Sequence, residues 1–480
     1  MFKKRPAVQE VLFIPGRLSD IIPDDHILKR INAAVSFSWV DDLVKDTYDE
    51  RQGRPCIEPE RALRLMLCGF LHGIAQDRKL MREAQVNVAY RWFCGYELDA
   101  QLPDHSSLTR IRQRWGAGRF RKIFEVVVKR CVEAGLIDGE TLHCDGSLIR
   151  ADVSWESLVA TYVERTAEEN PVVEETTGGE EMRPVSKTPQ GKIKKVSRTD
   201  PDASMATSSK KQRLEPTYKQ HTCVDDKAGV IVDVEVTTGE TSESTELIKQ
   251  IDRVTETLGK TPAAVTADKG YASSANYEEL ERRAITAVIP PQKEKRPAGN
   301  MPLCRFSYDP VNEIVRCPCG KRLNRRNRTT NGWFYRATVS DCGSCPLRNG
   351  CVPDSAKSRS VVIVDGYCSL LRARRARREG WDEEKVRLYN RHRNQAEGVH
   401  GEQKTGHGLR RAARRGLWNV QIQSFLSAIA VDLKRLARHV SSQDRRFLEP
   451  ILRRLRLWIR HILSGEGKRG ACWPFRPRYA

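Results

Sequence analysis

The segment Thr141-Leu-His-Cys-Asp-Gly-Ser-Leu-Ile149 is where the sequence changes from a helical to a strand-like spacing of its apolar residues. We predict a β-strand over this segment, with Asp145 following its apolar run. A second predicted strand, Ala263-Ala-Val-Thr-Ala-Asp268, is short and apolar and also ends in an aspartate. If the two strands are neighbours, these aspartates share one site.

The elements around these two strands predict a mixed sheet. A hairpin with Asp and Gly in its turn and then a helix lie between the strands, and a helix and a last strand follow Asp268. This order resembles that of an RNase H-like fold, with a mixed five-stranded sheet and flanking helices, over residues 137–291 and 385–440. The predicted elements are the hairpin of Tyr218–Val224 and Val230–Val236, helices Thr245–Leu258 and Asn276–Arg283, and strand Ile285–Ile289.

A helix near the C-terminal end is predicted to carry a third acid. In Tyr389-Asn-Arg-His-Arg393-Asn-Gln-Ala-Glu397-Gly-Val-His-Gly-Glu-Gln-Lys404, the residues Arg393, Glu397 and Lys404 stand at offsets 0, 4 and 11. At about 100° per residue, these offsets fall within roughly 40° of one another. One helix face would therefore carry an acid between two cations, and Arg393 and Lys404 would pair with phosphates.

Asp145, Asp268 and Glu397 form a candidate set of catalytic carboxylates. Hard divalent cations prefer carboxylate oxygens, and two Mg²⁺ or Mn²⁺ ions about 3.5–4 Å apart can activate a nucleophile and stabilise a leaving oxygen. Phosphodiester chemistry of this kind needs no serine or tyrosine nucleophile. The acids that compete for the same role are Asp152, Asp200, Asp202 and Glu402.

The charge of the chain indicates a polyanionic partner. Its 83 Lys and Arg residues against 62 Asp and Glu residues give a formal net charge of +21. Such a surplus favours nucleic acid as the partner. No segment approaches the ~18 uninterrupted apolar residues of a membrane-spanning helix, and no signal peptide is evident. We therefore expect a cytoplasmic, nucleoid-associated protein without a membrane partner.

Residues 1–136 are predicted to form an all-helical DNA-binding domain. Asp104-His-Ser106 provides the cap of a helix that ends at Gly116. This helix carries Arg110, Arg112 and Arg114, which give it a basic face suited to DNA. The alternative is a helical bundle with solvated arginines, which the spacing alone does not exclude.

Three other segments lie outside these two domains. Residues 164–216 are predicted to be a largely disordered loop, because they contain too few apolar residues to fold alone. Residues 292–384 form a small cysteine-rich insertion, and residues 441–480 a basic C-terminal helix and tail. Two separate amphipathic helices are predicted near the end of the chain, over Trp418–Arg438 and 446–464.

Six of the fourteen cysteines lie between Cys304 and Cys351. In a long chain without a secretion signal, cysteines are better explained as thiols or metal ligands than as a disulfide framework. Cys342-Gly-Ser-Cys345 has the spacing of zinc ligands, whereas Cys317-Pro-Cys319 is one residue shorter. Either a structural zinc site or buried free thiols would explain the cluster. The predicted zinc ligands are Cys317, Cys342, Cys345 and Cys351, with Cys319 and Cys304 as alternates.

Several short motifs give the sequence a resemblance to a known family. These motifs are Gly53-Arg-Pro55, Arg91-Trp-Phe-Cys-Gly95, Pro103-Asp-His-Ser106, Cys144-Asp-Gly-Ser147, Thr199-Asp-Pro-Asp202, Ala267-Asp-Lys-Gly-Tyr271 and Arg393-x3-Glu397-x6-Lys404. Together they resemble the bacterial insertion-sequence transposases of the DDE class, from the branch with an N-terminal helical transposase domain and a cysteine-bearing insertion. The resemblance covers nearly the whole chain up to about residue 438.

The resemblance implies a DNA transposase that binds the terminal inverted repeats of its element and performs metal-dependent strand cleavage and strand transfer. In that family the catalytic metals are bound by residues that match Asp145, Asp268 and Glu397. A tyrosine three residues before the arginine positions the DNA, whereas here Tyr389 lies four residues before Arg393. Joining two ends of double-stranded DNA implies a homodimer when assembled.

Two other functions fit the same residues. A structure-specific DNA nuclease of the same fold would stop after hydrolysis. A transposase remnant would bind DNA through its helical N-terminal domain without any catalysis. The three carboxylates argue against the remnant, and a strand-transfer assay separates the nuclease from the transposase.

Overall fold

The computed structural model describes residues 16–49, 56–163, 192–207, 213–294 and 301–463. Its α-helices are α1 (Leu18–Ile21), α2 (Ile27–Ala34), α3 (Trp39–Val44), α4 (Pro59–Leu71), α5 (Asp77–Val86), α6 (Val88–Phe93), α7 (His105–Glu133), α8 (Leu247–Leu258), α9 (Ser274–Arg282), α10 (Val339–Gly343), α11 (Tyr367–Glu379), α12 (Glu383–His392), α13 (Gly398–Gly406) and α14 (Leu417–Leu463). Its strands are β1 (Thr141–Arg150), β2 (Leu158–Val163), β3 (Lys192–Ser197), β4 (Ser204–Ala206), β5 (Glu215–Asp225), β6 (Ile231–Thr238), β7 (Ala264–Ala267), β8 (Thr286–Val288), β9 (Ser307–Asp309), β10 (Ile314–Arg316), β11 (Arg322–Thr329), β12 (Gly332–Arg336) and β13 (Ser360–Val364).

A mixed sheet with β1 at its centre organises the middle of the chain. The strands lie in the order β6, β5, β1, β7, β8, and the short β4 pairs with the beginning of β5. The pairs of β1 with β5 and of β5 with β6 are antiparallel, whereas β1, β7 and β8 run parallel. The predicted mixed sheet is therefore confirmed. The described part of the chain gives this sheet six strands rather than the predicted five, because β4 adds to it.

The segment predicted to be a loop over residues 164–216 contains ordered strands. Residues 164–191 and 208–212 lie outside the described residues. Strand β3 pairs antiparallel with β2, and β4 and the start of β5 belong to the main sheet. The difference has a simple cause: backbone hydrogen bonds to neighbouring strands supply stability that the polar composition of this segment does not indicate.

The N-terminal part is helical, as predicted. Helix α7 begins at Asp104, whose side chain accepts a hydrogen bond of 2.8 Å from the backbone N–H of Ser106. The predicted end at Gly116 is a kink, where φ is 67°, and the helix continues beyond it. Apolar residues of the second half, including Phe120 and Phe124, are buried against other elements.

Helix α14 joins the helical part to the sheet. It packs against α2, α4 and α7 on the helical side and against β6 on the sheet side. Phe425 in this helix is fully buried, and its ring stacks on that of Phe124 at 5.8 Å. The prediction of two separate helices after residue 417 was wrong, because one helix spans the whole stretch Leu417–Leu463. The predicted boundary at residue 440 therefore lies inside a helix.

Side chains of α14 also form hydrogen bonds with backbone groups of β6 that do not pair with β5. The backbone N–H of Ile231 donates to Oδ1 of Asp432 at 2.9 Å. The N–H of Val236 donates to Oε1 of Gln421 at 2.7 Å, and Nε2 of Gln421 donates to the carbonyl of Val234 at 3.3 Å. An edge strand presents unpaired backbone groups, and here the helix takes the place of a further strand.

Residues 301–364 form a second, smaller sheet. Its five strands are antiparallel and lie in the order β13, β12, β11, β10, β9. Tyr335 and Val315 lie in its buried core, together with two cysteines, Cys342 and Cys351. Helix α11 follows this sheet and packs against α9 of the central region.

One pair of cysteines differs from the expectation that they are thiols or metal ligands. Cys144 on β1 and Cys223 on β5 lie directly opposite each other, with their Cα atoms 4.4 Å apart, and are joined as a disulfide. The strand register brings these two residues together although they are far apart in sequence. Separately, the helices of the described residues include none with the length and apolar character needed to cross a membrane.

The hydrogen bond between α14 and β6 gives a stability prediction. Asp432 is fully buried, and burial raises the pKa of its carboxyl well above the ordinary value. Asp432→Asn keeps an acceptor for Ile231 and is expected to change the free energy of unfolding little. Asp432→Leu leaves that N–H without an acceptor and is expected to cost about 1–3 kcal/mol. Urea denaturation of both variants checks this, and equal losses would contradict it.

Candidate active site

Asp145 and Asp268 lie side by side where the parallel pairing of β1 with β7 ends: Asp145 is in the middle of β1, and Asp268 directly follows β7. β1 and β7 pair in parallel with Cys144 opposite Ala267, and each aspartate is the next residue along its strand. Asp268 also caps the turn that follows β7, where its Oδ1 accepts the backbone N–H of Gly270 at 2.6 Å. The strand register thus brings together the two aspartates that the sequence singles out.

The carboxyl of Asp145 is enclosed and surrounded by other acids. Its side chain is 19% exposed. Burial, together with the charges of Asp268, Glu243 and Glu397, raises its pKa to about 7, against the opposing effect of a hydrogen bond from the N–H of Gly146. Negative charge is therefore concentrated at this end of the sheet, and a bound cation would relieve the repulsion.

Glu397 approaches this region from a helix whose geometry differs from the predicted one. Residues Arg393–Glu397 form a π-helical turn between α12 and α13. Within that turn, Nε of Arg393 lies 3.5 Å from Oε2 of Glu397, and the two side chains are 81% and 61% exposed. The assumption of one uninterrupted α-helix was wrong here, because a π turn accommodates an extra residue and changes the directions of the side chains.

Lys404 and Tyr389 both lie near the carboxylates. Burial lowers the pKa of Lys404, and the nearby carboxylate of Asp145 acts in the opposite direction. Burial raises the pKa of the Tyr389 hydroxyl, and the charges of Asp268 and Glu397 add to that effect. A cation and a phenol thus border the acidic end of the sheet.

The acidic side chains are not gathered around a single point. Within the ranges that the structure describes, no three Asp, Glu, His or Cys side chains are placed so that they could hold a metal ion. Carboxylates repel one another when no cation lies between them, which accounts for a spread arrangement. The donor set itself, carboxylate oxygens from two neighbouring strands and a π-helical turn, matches what magnesium or manganese binds.

Sequence reasoning missed three side chains beside Asp145. Nε2 of His400 lies 3.8 Å from Oδ2 of Asp145, and burial lowers the pKa of this histidine to about 3. Tyr271 is fully buried, and its hydroxyl has no hydrogen-bond partner in the described part of the chain. Glu243 precedes α8 and acts electrostatically on Asp145. The position of His400, three residues after Glu397, was the one available signal, because i and i+3 share a helix face.

The four competing acids each bond to another part of the chain. Such contacts explain their presence without any catalytic role. The pairs are Asp152 with Arg411 at 3.2 Å, Asp200 with the hydroxyl of Tyr218 at 2.5 Å, Asp202 with the backbone N–H of Leu417 at 2.9 Å, and Glu402 with Lys434 at 3.0 Å and Arg435 at 3.2 Å.

The predicted basic face of α7 needs a correction. Arg112 is 2% exposed and is bonded to Asp77, so its guanidinium is not available to DNA. Arg110 and Arg114 are exposed. Arg114 lies over the ring of Tyr48 at 4.7 Å. The helical spacing placed the three arginines along one helix but did not indicate which of them faces the interior.

The cysteines of the second sheet surround a small cavity of about 20 Å³. All four predicted zinc ligands line it, and so does the alternate Cys319, whereas Cys304 does not. The sulfur atoms of Cys319 and Cys345 are 3.4 Å apart. Cys342 accepts a hydrogen bond of 3.4 Å from the backbone N–H of Arg359. Five cysteines of the predicted cluster therefore line one cavity, although within the described part of the chain no three of them are placed to hold a metal ion. The cavity-lining cysteines are Cys317, Cys319, Cys342, Cys345 and Cys351.

Among solved structures, the chain is similar to two transposase complexes with low sequence identity. One is the piggyBac transposase synaptic complex with hairpin DNA, at 11% identity and a TM-score of 0.33, covering 87% of this chain and 75% of that one. The other is the Mos1 transposase paired-end complex with the left transposon end, at 11% identity and a TM-score of 0.16, covering 50% of this chain and 61% of that one. No curated protein matches the chain.

Family comparison gives a clearer result. The family described as Transposase domain (DUF772) matches residues 16–114, which lie in the helical part. The Transposase DDE domain matches residues 185–433, more than half of the chain. Asp268 and Glu397 lie inside the second match, whereas Asp145 precedes it and joins the site through the sheet. The chain belongs to the DDE transposase family.

Proposed function

We propose that this transposase binds the terminal inverted repeats of its own element, cleaves a strand to release a 3′-hydroxyl, and joins that hydroxyl to target DNA. Family membership supports the reaction class. The parallel pairing of β1 and β7, which sets Asp145 beside Asp268, supports the assignment of the catalytic residues. The net charge of +21 supports double-stranded DNA as the partner.

The central sheet supports the proposal of an RNase H-like catalytic domain. Its strand order β6, β5, β1, β7, β8 combines an antiparallel half with a parallel half, and the two aspartates stand next to each other where the pairing of β1 with β7 ends. Residues 137–291 and 385–440 make up this domain in the proposal, and residues 292–384 are inserted into it. Helix α14 continues past residue 440, so the basic C-terminal segment begins within the same helix.

Asp145, Asp268 and Glu397 are the residues that would hold Mg²⁺ or Mn²⁺ in this proposal. When bound, such an ion increases the acidity of a water or hydroxyl nucleophile and stabilises the leaving oxygen. Asp145 is well suited to the role, because its enclosed carboxyl carries an unfavourable charge that a cation would balance. Glu397 would turn from Arg393 toward the two aspartates.

The cations of this region would bind the DNA backbone. The pair of Arg393 with Glu397 is exposed on both sides, and such i, i+4 pairs contribute only about 0.3 kcal/mol. Arg393 can therefore exchange Glu397 for a phosphate at little cost. Lys404 lies near Asp145 and Tyr389 near Asp268, so both would contact the strand at the scissile phosphate. Arg110 and Arg114 remain available on α7 for binding the element end.

Two further features complete the proposal. Joining both ends of an element to one target requires two active sites at the same place, so we expect a homodimer when assembled on DNA.

We also infer that the cysteine-lined cavity holds a structural zinc ion, because zinc prefers thiolate ligands and five cysteines line this cavity.

Neutralising one central acid is expected to abolish catalysis while sparing DNA binding. Asp268→Asn should reduce cleavage of element ends in Mg²⁺ by at least about a hundredfold, since metal ligation supplies several kcal/mol of transition-state stabilisation. Asp138→Asn is the matched control. Asp138 is an exposed acid that precedes the start of β1, so this variant should behave as the unmodified protein. A strand-transfer assay on pre-nicked ends distinguishes a transposase from a nuclease. Cleavage by the Asp268 variant at the normal rate would overturn the assignment.

Asp145→Asn is expected to stabilise the metal-free protein, and to do so more at higher pH. In the unfolded chain this carboxyl ionises near 3.8, whereas in the folded protein its pKa is about 7. Between these values the folded state holds one more proton than the unfolded state, so stability falls as pH rises. The stability that Asp145→Asn gains over the unmodified protein should therefore grow from about pH 4 to about pH 7 and stay constant above that.

The measurement is the melting temperature of both proteins in EDTA across this pH range. The groups that act on Asp145 are the acids Asp268, Glu243 and Glu397, with Lys404 and the neutral His400 on α13. A gain that is the same at every pH would show that burial does not shift this carboxyl as proposed.

Protein purified without chelator is expected to contain one zinc ion per chain. Cys345→Ser should lower that content and the melting temperature, because a structural zinc ion contributes directly to folding. Cys368→Ser, on α11 and outside the cavity lining, is the matched control and should keep its zinc. Elemental analysis that finds no zinc in the unmodified protein would favour buried free thiols.

A further inference from the structure

Glu243 lies beside the backbone of Gly146, which follows Asp145 on β1, and of Gly270, in the turn after Asp268. A Cβ atom on Gly146 would lie 2.9 Å from Oε1 of Glu243. A Cβ atom on Gly270 would overlap Oε2 of Glu243 and lie 2.8 Å from Oδ1 of Asp268. The two glycines therefore leave the space that the Glu243 carboxylate fills, next to both aspartates.

The closeness of Glu243 and Asp268 allows them to share one cation. Their nearest oxygens both border the position of a single absent methyl group on Gly270. Oxygens on opposite sides of a magnesium ion are about 4 Å apart, given bonds of about 2.1 Å. A small movement of either side chain would thus let both carboxylates reach the same ion.

Lys219 is the neighbour that balances Glu243 in the metal-free protein. Its Nζ lies 3.4 Å from Oε1 of Glu243 and donates to the carbonyl of Thr241 at 2.8 Å. Burial raises the pKa of Glu243, Lys219 lowers it, and the charge of Asp268 raises it again. The carboxylate therefore has one long ion pair on one side and a second carboxylate on the other.

Tyr271 provides an independent indication that a ligand belongs here. This residue is fully buried, and its hydroxyl has no hydrogen-bond partner among the described residues. Burial raises the pKa of this hydroxyl well above its ordinary value, and the charges of Asp145, Glu243 and Asp268 add to that effect. A buried phenol without an acceptor is costly, and an oxygen atom of a metal-bound water or phosphate would satisfy it.

We propose that Glu243 is a fourth carboxylate of the catalytic metal centre, which binds the divalent cation together with Asp145 and Asp268. The inference rests on the proposed function, because it assumes that these aspartates hold the metal. Glu243 belongs to the short turn Glu243–Thr245 that precedes α8. The metal centre then draws ligands from β1, from the end of β7, from the turn before α8 and from the π-helical turn.

Binding of Mn²⁺ to the full-length protein, measured by calorimetry without DNA, tests the proposal directly. Glu243→Gln is expected to weaken Mn²⁺ binding at least tenfold and to raise the Mg²⁺ concentration needed for strand cleavage. Glu246→Gln is the matched control, because Glu246 is also buried before α8 but bonds Lys249 at 2.9 Å instead. Its Mn²⁺ affinity should be unchanged.

Comparison with Asp268→Asn separates failure of this inference from failure of the proposed function. If Asp268→Asn loses Mn²⁺ binding while Glu243→Gln keeps it, Glu243 is only the partner of Lys219 and the inference is overturned. If both variants bind Mn²⁺ normally, the proposed metal site itself is wrong. The double variant Lys219→Met with Glu243→Gln removes the ion pair as a whole and guards against misfolding caused by an unpaired lysine. It is expected to bind Mn²⁺ as weakly as Glu243→Gln, and normal binding by a folded double variant would also overturn the inference.

Discussion

The register of β1 against β7 is the constraint on which the rest of the site depends. Backbone hydrogen bonds fix Cys144 opposite Ala267, and the next residue on each strand is an aspartate. A shift of one residue in either strand would send one carboxylate to the other face of the sheet, because side chains alternate along a strand. The residues before both aspartates are buried on both faces of the sheet, so the paired segments lie within the packed core. Packing of the sheet thus determines the spacing of the acids.

Helix α14 extends the same constraint to the whole molecule. It is bonded to the backbone of β6 through Gln421 and Asp432 and packs against the helical N-terminal part on its other side. Two ionic contacts tie α13 and the segment after it into this arrangement: Glu402 of α13 pairs with Lys434 of α14, and Arg414 between the two helices pairs with Asp77. The helix that carries Glu397 is therefore anchored at its far end, and its π-helical turn is the part with exposed side chains.

Electrostatics at the end of the sheet favour a cation there. Burial and neighbouring acids both raise the pKa of Asp145. Glu243 adds a further carboxylate, which fills the space beside Gly146 and Gly270. A protein that buries like charges loses stability when no counterion is bound. Functional sites are where such an arrangement is retained, because the same repulsion becomes attraction once a metal ion is present.

The sequence by itself determined the helical N-terminal part, the mixed sheet, the basic character and the choice of Asp145 and Asp268 as neighbouring acids. These follow from local periodicity and composition, which report what each residue contributes to its own element. Tertiary structure decided that Arg112 is buried, that α14 is one helix, that Cys144 meets Cys223, and that Glu243 stands beside Asp268. These relations depend on strand register and loop paths between distant segments, and no spacing within a single segment encodes them.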